Sequence, residues 1–190
     1  MILRTAIGLD DERYVIARVG GNLVTSLHRK IGDLYEGVFA YLLKETYGIS
    51  GNELHFGVEV RIGDRIQIRS TDGLITREKY NKLIPKRWLQ FDGIGFEVRS
   101  CYQIGDSKRI QADYDMSLAL KASKINPVML IMCATSLRNP VARLAKSWEL
   151  YEGMNSFNLI RSITGFDLHV FLQANSRTLK AEIDRVLSNF

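Results

Sequence analysis

Six consecutive apolar residues, Val128-Met129-Leu130-Ile131-Met132-Cys133, leave neither side of an extended chain anything to offer to water. Successive strand side chains point to opposite faces, so such a strand has to be covered on both. The run is far too short to cross a bilayer. It predicts the central strand of a sheet lying between helical layers. Ahead of it, Asp106 or Ser107 caps a helix over 107–124 with Ile110, Tyr114 and Leu118 as its apolar line, and Asn126-Pro127 ends that helix. A helix that delivers the chain into a buried strand is the crossover of an α/β fold.

The remaining elements follow from periodicity. Leu27, Ile31, Leu34, Val38 and Leu42 mark one face of a helix over 22–47, capped by Asn22 and closed by Gly48. Leu54, Phe56, Val58 and Val60, then Ile66 and Ile68 after a tight Gly63-Asp64 turn, predict a β-hairpin. A basic, poorly periodic stretch over 71–86 precedes a second predicted hairpin, with strands at 88–91 and 94–102 around Asp92-Gly93. Asn139-Pro140 opens a helix carrying Val141, Leu144, Trp148 and Tyr151. A short helix over 156–163, a strand over 168–172 and a helix from Ser176 with Leu179, Ile183 and Val186 inward complete the chain. The expected architecture is α/β, a mixed β-sheet flanked by helices, with residues 1–190 forming one domain. A chain of 190 residues, 46% hydrophobic and 25% charged, is long enough for a sizeable core and too apolar to be disordered.

Chemistry concentrates in the segment 91–102. On a strand Glu97, Arg99 and Cys101 share one face, and Phe96 and Val98 the other. A carboxylate two positions from a cation suits a divalent metal held beside a positive group that orients water or stabilises a charged phosphorane-like transition state. The same pair also suits a plain surface ion pair. Asp72, in Ser70-Thr71-Asp72-Gly73, lies beside Glu97 if their strands are neighbours, and is otherwise a turn aspartate. Glu36 lies off the core stripe of its helix, one turn after Gly32, whose missing side chain allows close approach. Asp92 reads as a turn residue, and Glu59 shares a side with Arg61.

The order of a helix with Gly32-x-x-x-Glu36, a meander carrying Asp72, a strand with Glu97-x-Arg99, a helix and a buried strand resembles the PD-(D/E)xK nuclease superfamily, most like its small type II restriction endonucleases. The resemblance implies a restriction-endonuclease-like core over about residues 22–134, Asp72 and Glu97 as ligands of Mg²⁺, and Glu36 as an auxiliary acid. Two departures stand out. The usual lysine of the motif is Arg99, and no proline precedes Asp72. Arginine does not act as a base near neutrality, so Arg99 would position water or neutralise charge. A displaced lysine such as Lys108 is the alternative.

Basic residues give a separate line of argument. With 26 Lys and Arg against 21 Asp and Glu the formal charge is +5, which a symmetric homodimer would double. Arg61, Arg65 and Arg69 are spaced by four and are expected on one side of the first hairpin. Lys79, Lys82, Lys86 and Arg87 crowd the irregular stretch beside Tyr80 and Trp88, while Lys108, Arg109, Lys121 and Lys124 decorate the crossover helix. Three clusters around one acidic centre fit phosphate contacts along double-stranded DNA. Gln103, Gln111 and Asn81 are available for base readout. Together these features give, as an expectation, a Mg²⁺-dependent type II endodeoxyribonuclease working as a cytoplasmic homodimer with no membrane partner. The competing expectations are a structure-selective repair or junction nuclease and a non-catalytic DNA-binding module on a degenerate nuclease core. Cys101 and Cys133 read as buried free thiols, and His28, His55 and His169 as structural or surface residues without metal spacing or a partner nucleophile.

Overall fold

Strand β5 (Ile125–Ile131) is buried along its whole length and sits inside a four-stranded mixed sheet. The structure, a computed structural model, describes residues 12–62, 65–102, 107–134 and 138–187. The long helix α1 (Glu12–Tyr47) leads into a hairpin of β1 (Gly57–Ile62) and β2 (Arg65–Ser70), which forms its own two-stranded sheet. In the larger sheet β3 (Gly73–Thr76) pairs antiparallel with β4 (Gly93–Arg99). Helix α2 (Ser107–Ala122) then carries the chain across to β5, parallel to β4, and α3 (Arg138–Leu144) leads to β6 (Glu149–Glu152), parallel to β5. Helices α4 (Met154–Thr164), α5 (Leu168–Ala174) and α6 (Ser176–Leu187) follow. Among the described residues no helix is long and apolar enough to cross a membrane.

Alternation along β5 divides the core. Val128 and Leu130 pack with Phe39, Leu43 and Tyr47 of α1, Phe96 of β4 and Ile160 and Ile163 of α4. Met129 and Ile131 pack on the other face with Met116 and Leu120 of α2, Val58 and Val60 of β1, and Trp148. Each of these β5 side chains is fully removed from solvent, a contribution of about 1.5–3 kcal/mol apiece before entropy is counted.

Several expected elements differ, each for a local reason. The partner of β4 is β3, inside the stretch expected to be irregular, whereas Lys86–Trp88 forms a 3₁₀ turn that buries Trp88. Asp92 does not close a hairpin, because its N–H donates to Lys124 and its carbonyl accepts from Arg77. Asn126-Pro127 lies within β5 rather than ahead of it, and Pro127 precedes the first β6 partner, Val128↔Glu149, so its missing N–H costs no bond there. The helix from Asn139-Pro140 stops at Leu144, and Glu149 to Glu152 pair with β5 as an edge strand. Residues 168–172 are helical, started by the Asp167 side chain accepting from Val170 N–H.

The faces of two helices also differ from the expected stripes. Leu34 of α1 is exposed while Phe39, Leu43 and Tyr47 are buried. On α2, Leu118 is exposed and Asp113, Met116 and Leu120 face inward. Close approach of α1 occurs at Gly73, where an added Cβ would lie 2.7 Å from Leu43 Cδ1, and not at Gly32, where the nearest atom is 3.8 Å away. The Gly63-Asp64 turn and the expected cap at Asp106 lie outside the described residues.

Candidate functional site

Strand β3 begins only at Gly73, opposite Phe96, so on that side the next part of β4 has no strand beside it, while β5 runs along the other. Asp72 fills that gap. Its N–H donates to the Phe96 carbonyl at 2.9 Å and its carboxylate accepts from Val98 N–H at 2.8 Å, which sets it across from Glu97. Glu97 and Arg99 lie on one face of β4 and are both buried. The neighbourhood of Asp72 and Glu97 expected from the sequence is therefore formed.

Arg99 is the hub of the site. Its Nη2 donates to Glu97 Oε1 and to Asp113 Oδ1, the latter at 3.0 Å. Its Nη1 lies 3.6 Å from Asp72 Oδ2 and 3.9 Å from Glu36 Oε1. Asp113, fully buried on α2, also accepts from Tyr102 Oη at 2.7 Å and from Arg69 Nη2 at 3.2 Å. Two guanidinium groups thus face four carboxylates, a formal excess of negative charge in a largely dry place. Glu97 Oε2 is buried without a hydrogen-bond partner.

The titration behaviour follows from this crowding. Burial pushes the Asp72 carboxyl above the usual carboxylate range, against the opposing pull of Arg99 and of Val98 N–H. Burial, and then the Asp72 charge, raise Glu36 in the same direction. Burial works against the charge on Arg99, but Asp113 and Asp72 outweigh it and hold the guanidinium above its ordinary value.

A cleft of about 220 Å³ opens beside this cluster between α1 and the end of β4. Glu36, Asp33, Gly32 and Arg29 line it from α1, Val98 and Arg99 from β4, and Arg109 from the first turn of α2. His28, Gly32 and Glu36 occupy successive turns of one face, which is why they meet the cleft together. The cleft is lined by the carboxylates of Asp33 and Glu36 together with Arg29, Arg99 and Arg109, an arrangement able to hold a phosphate beside an acidic centre.

The basic residues are distributed differently from the expected three clusters. The register pairs Ile62 with Arg65 and Arg61 with Ile66, so positions 61 and 69 do not share a register face. A spacing of four keeps residues on one face only within a single strand, and positions 61 and 65 belong to different strands. Arg69 is turned into the acidic centre rather than outward. Lys79 donates to the Gly48 carbonyl at 3.1 Å, and Arg87 pairs with Glu149 at 2.7 Å while stacking on Trp88. These two, with the exposed Lys82 and Lys86, belong to the connection entering the Gly93 end of β4, about 20 Å along the strand from Arg99. Lys108 and Arg109 are exposed at the start of α2, and Arg109 reaches the cleft. Gln103 lies outside the described residues. Gln111 is engaged with Arg143 and Asp115, and Asn81 caps Leu83 N–H.

Three participants escape a reading by motif. Asp113 and Tyr102 hold Arg99 from behind, and the only signal of Asp113 is a carboxylate three residues after Ile110, on the buried face of α2. His28 does have a partner, because its Nδ1 lies 3.2 Å from Cys101 Sγ. His55 Nδ1 is 2.7 Å from the Thr71 carbonyl, a structural contact one residue from Asp72. No family model, curated protein or solved structure matches the chain.

Proposed function

We propose that the chain is a Mg²⁺-dependent endodeoxyribonuclease that hydrolyses phosphodiester bonds in double-stranded DNA. The observation that carries this reading is the meeting of Asp72 and Glu97 across the end of β4, with Arg99 between them and a cleft alongside. Among the described residues no three His, Cys, Asp or Glu side chains form a ready ligand set. Mg²⁺ does not need one, since it is commonly held by one or two carboxylates with waters and substrate phosphate oxygens completing the shell. The orphaned, buried Glu97 Oε2 and the excess of carboxylates fit that demand, so Asp72 and Glu97 would be the holders. The bound ion would supply Lewis-acid stabilisation of charge on the phosphate.

The chain's own groups divide the remaining work. Arg99 stays protonated and therefore neutralises charge or orients water, but takes no proton. Glu36 is partly exposed at the cleft wall and raised in pKa, which suits it to accept the proton of the attacking water. Arg109, across the cleft, and Arg29, farther along α1, are placed to grip the phosphate. Two protomers related by a two-fold axis would bring two such clefts to the two strands of a duplex.

One observation favours a second reading. The Arg99 guanidinium already sits among all four carboxylates, as expected of a degenerate nuclease core that binds DNA without cutting it. Incubating supercoiled plasmid with the protein, with and without Mg²⁺, separates the readings. Discrete Mg²⁺-dependent fragments support a site-specific endonuclease, and cutting confined to branched substrates supports a junction enzyme. Retained DNA binding with no cleavage in any divalent ion would leave only the non-catalytic reading.

A further inference from the structure

Two thiols meet just past the carboxyl ends of β4 and β5. The last ladder pair is Arg99↔Ile131, and the main chains stay paired beyond it. Met132 N–H donates to the Arg99 carbonyl at 2.8 Å and Cys133 N–H to the Ser100 carbonyl at 3.1 Å. These two bonds hold the bent segments together and bring Cys133 beside Cys101. A disulfide needs its two Cα atoms roughly 4.4–6.8 Å apart, a separation within reach of two chains joined by main-chain hydrogen bonds. The side chains already interact with one another, and both cysteines are free and half-buried. Cys101 and His28 also line the cleft, so a small reagent that enters it reaches the Cys101 sulfur.

We propose that Cys101 and Cys133 form a reversible thiol–disulfide pair that exchanges with a small-molecule disulfide entering the cleft, with His28 as the base for Cys101. His28 Nδ1, 3.2 Å from Sγ, takes the Cys101 proton. The thiolate attacks one sulfur of the reagent, whose S–S bond breaks. The departing thiolate leaves with that proton as a free thiol. Cys133 then gives up its proton and attacks the Cys101 sulfur, expelling the second half of the reagent as a second thiol. Two protein thiols are oxidised and one disulfide is reduced to two thiols, so atoms and electrons balance. Burial, and then the neighbouring Cys101, push the Cys133 thiol up to about 11, which disfavours it as the first nucleophile and suits it to the resolving step. The crosslink would tie the ends of β4 and β5 together two residues from Arg99 and withdraw Cys101 from His28. This inference does not depend on the nuclease reading.

The test is intact-mass analysis of the reduced, folded full-length chain after incubation with oxidised glutathione and an acid quench. The expected product is lighter by two hydrogen atoms and carries no lasting glutathione. Cys133→Ser should instead stop at one glutathione adduct, located on Cys101 by peptide mapping. His28→Gln should slow the first step by about tenfold or more. A wild-type protein that ends as a stable adduct, or that reacts only when unfolded, would overturn the pair. An unchanged rate in His28→Gln would overturn the role of His28.

Discussion

The Asp113 carboxylate lies 3.0 Å from the Arg99 guanidinium, and both side chains are buried, Asp113 completely. Asp113 is also the acceptor for Arg69 and Tyr102, so one buried acid fixes the cation around which the site is built. Removing it takes away the acceptor shared by Arg69, Arg99 and Tyr102 and leaves buried donors unpaired. Asp113→Ala should cost about 3–5 kcal/mol in urea unfolding. Tyr102→Phe, which deletes one hydrogen bond while keeping the ring, should cost only about 1 kcal/mol.

Gly73 sets the spacing between α1 and β3 next to Asp72. An added Cβ would lie 2.7 Å from Leu43 Cδ1 and 3.2 Å from Phe39 Cε1, two core side chains with little room to retreat. Gly73→Ala should therefore lose about 1–3 kcal/mol in urea unfolding. Gly37→Ala is the internal comparison, because nothing lies within 4 Å of its Cβ position and the site is helical. That change should raise the unfolding midpoint through helix propensity, by up to about 1 kcal/mol.

The acid pair predicts the sign of a pH effect. Glu36 and Asp72 have folded pKa values above those of the unfolded chain, mainly through burial. Ionising them therefore costs stability. With divalent ions chelated, their contribution to stability rises as pH falls through the raised folded values and levels off below the ordinary carboxylate range. Urea midpoints measured from neutral pH down to the ordinary carboxylate range should show this slope, and Glu36→Gln should flatten part of it.

Glu149 has the opposite sign. Despite the cost of burial, hydrogen bonds from Tyr151, Asn126, Arg87 and Trp88 hold its carboxyl below the usual range. Its stabilising contribution is present above the unfolded pKa and is lost as pH falls through the folded one. The cluster ties Trp88 to the edge strand β6, which is separated from β4 by β5. Glu149→Gln should lower stability by about 1–3 kcal/mol. It should leave DNA cleavage by the folded protein unchanged, as measured on plasmid at a temperature well below unfolding.

Local pattern and long-range pairing account for what the sequence discloses. The six-residue apolar run reads as a central strand because burial on both faces admits no polar residue, and β5 occupies that place. Glu97 and Arg99 share a face because strand alternation is local, and Asp72 joins them through the pairing of Gly73 with Phe96, whereas β4 ends at Arg99 and Cys101 turns to His28 of α1. Pairing partners themselves are non-local, which is why β3 was hidden in a basic stretch and why 88–91 looked like its substitute. Residues 168–172 are apolar enough for a strand, and the Asp167 cap decides for helix. Asp113 was concealed because a carboxylate on an apolar helix face declares itself only when its cations, Arg69 and Arg99, arrive from elsewhere in the chain.

The most direct test of the account compares wild type with Glu97→Gln, which keeps the shape of a buried side chain while removing the charge offered to the ion. Cleavage of supercoiled plasmid and duplex binding are measured together, with Mg²⁺ and with chelator. The account predicts Mg²⁺-dependent cleavage by wild type, a loss of about 100-fold or more in Glu97→Gln, and little change in binding. Equal cleavage by the two proteins, or binding by wild type with no metal-dependent cleavage at all, would contradict it.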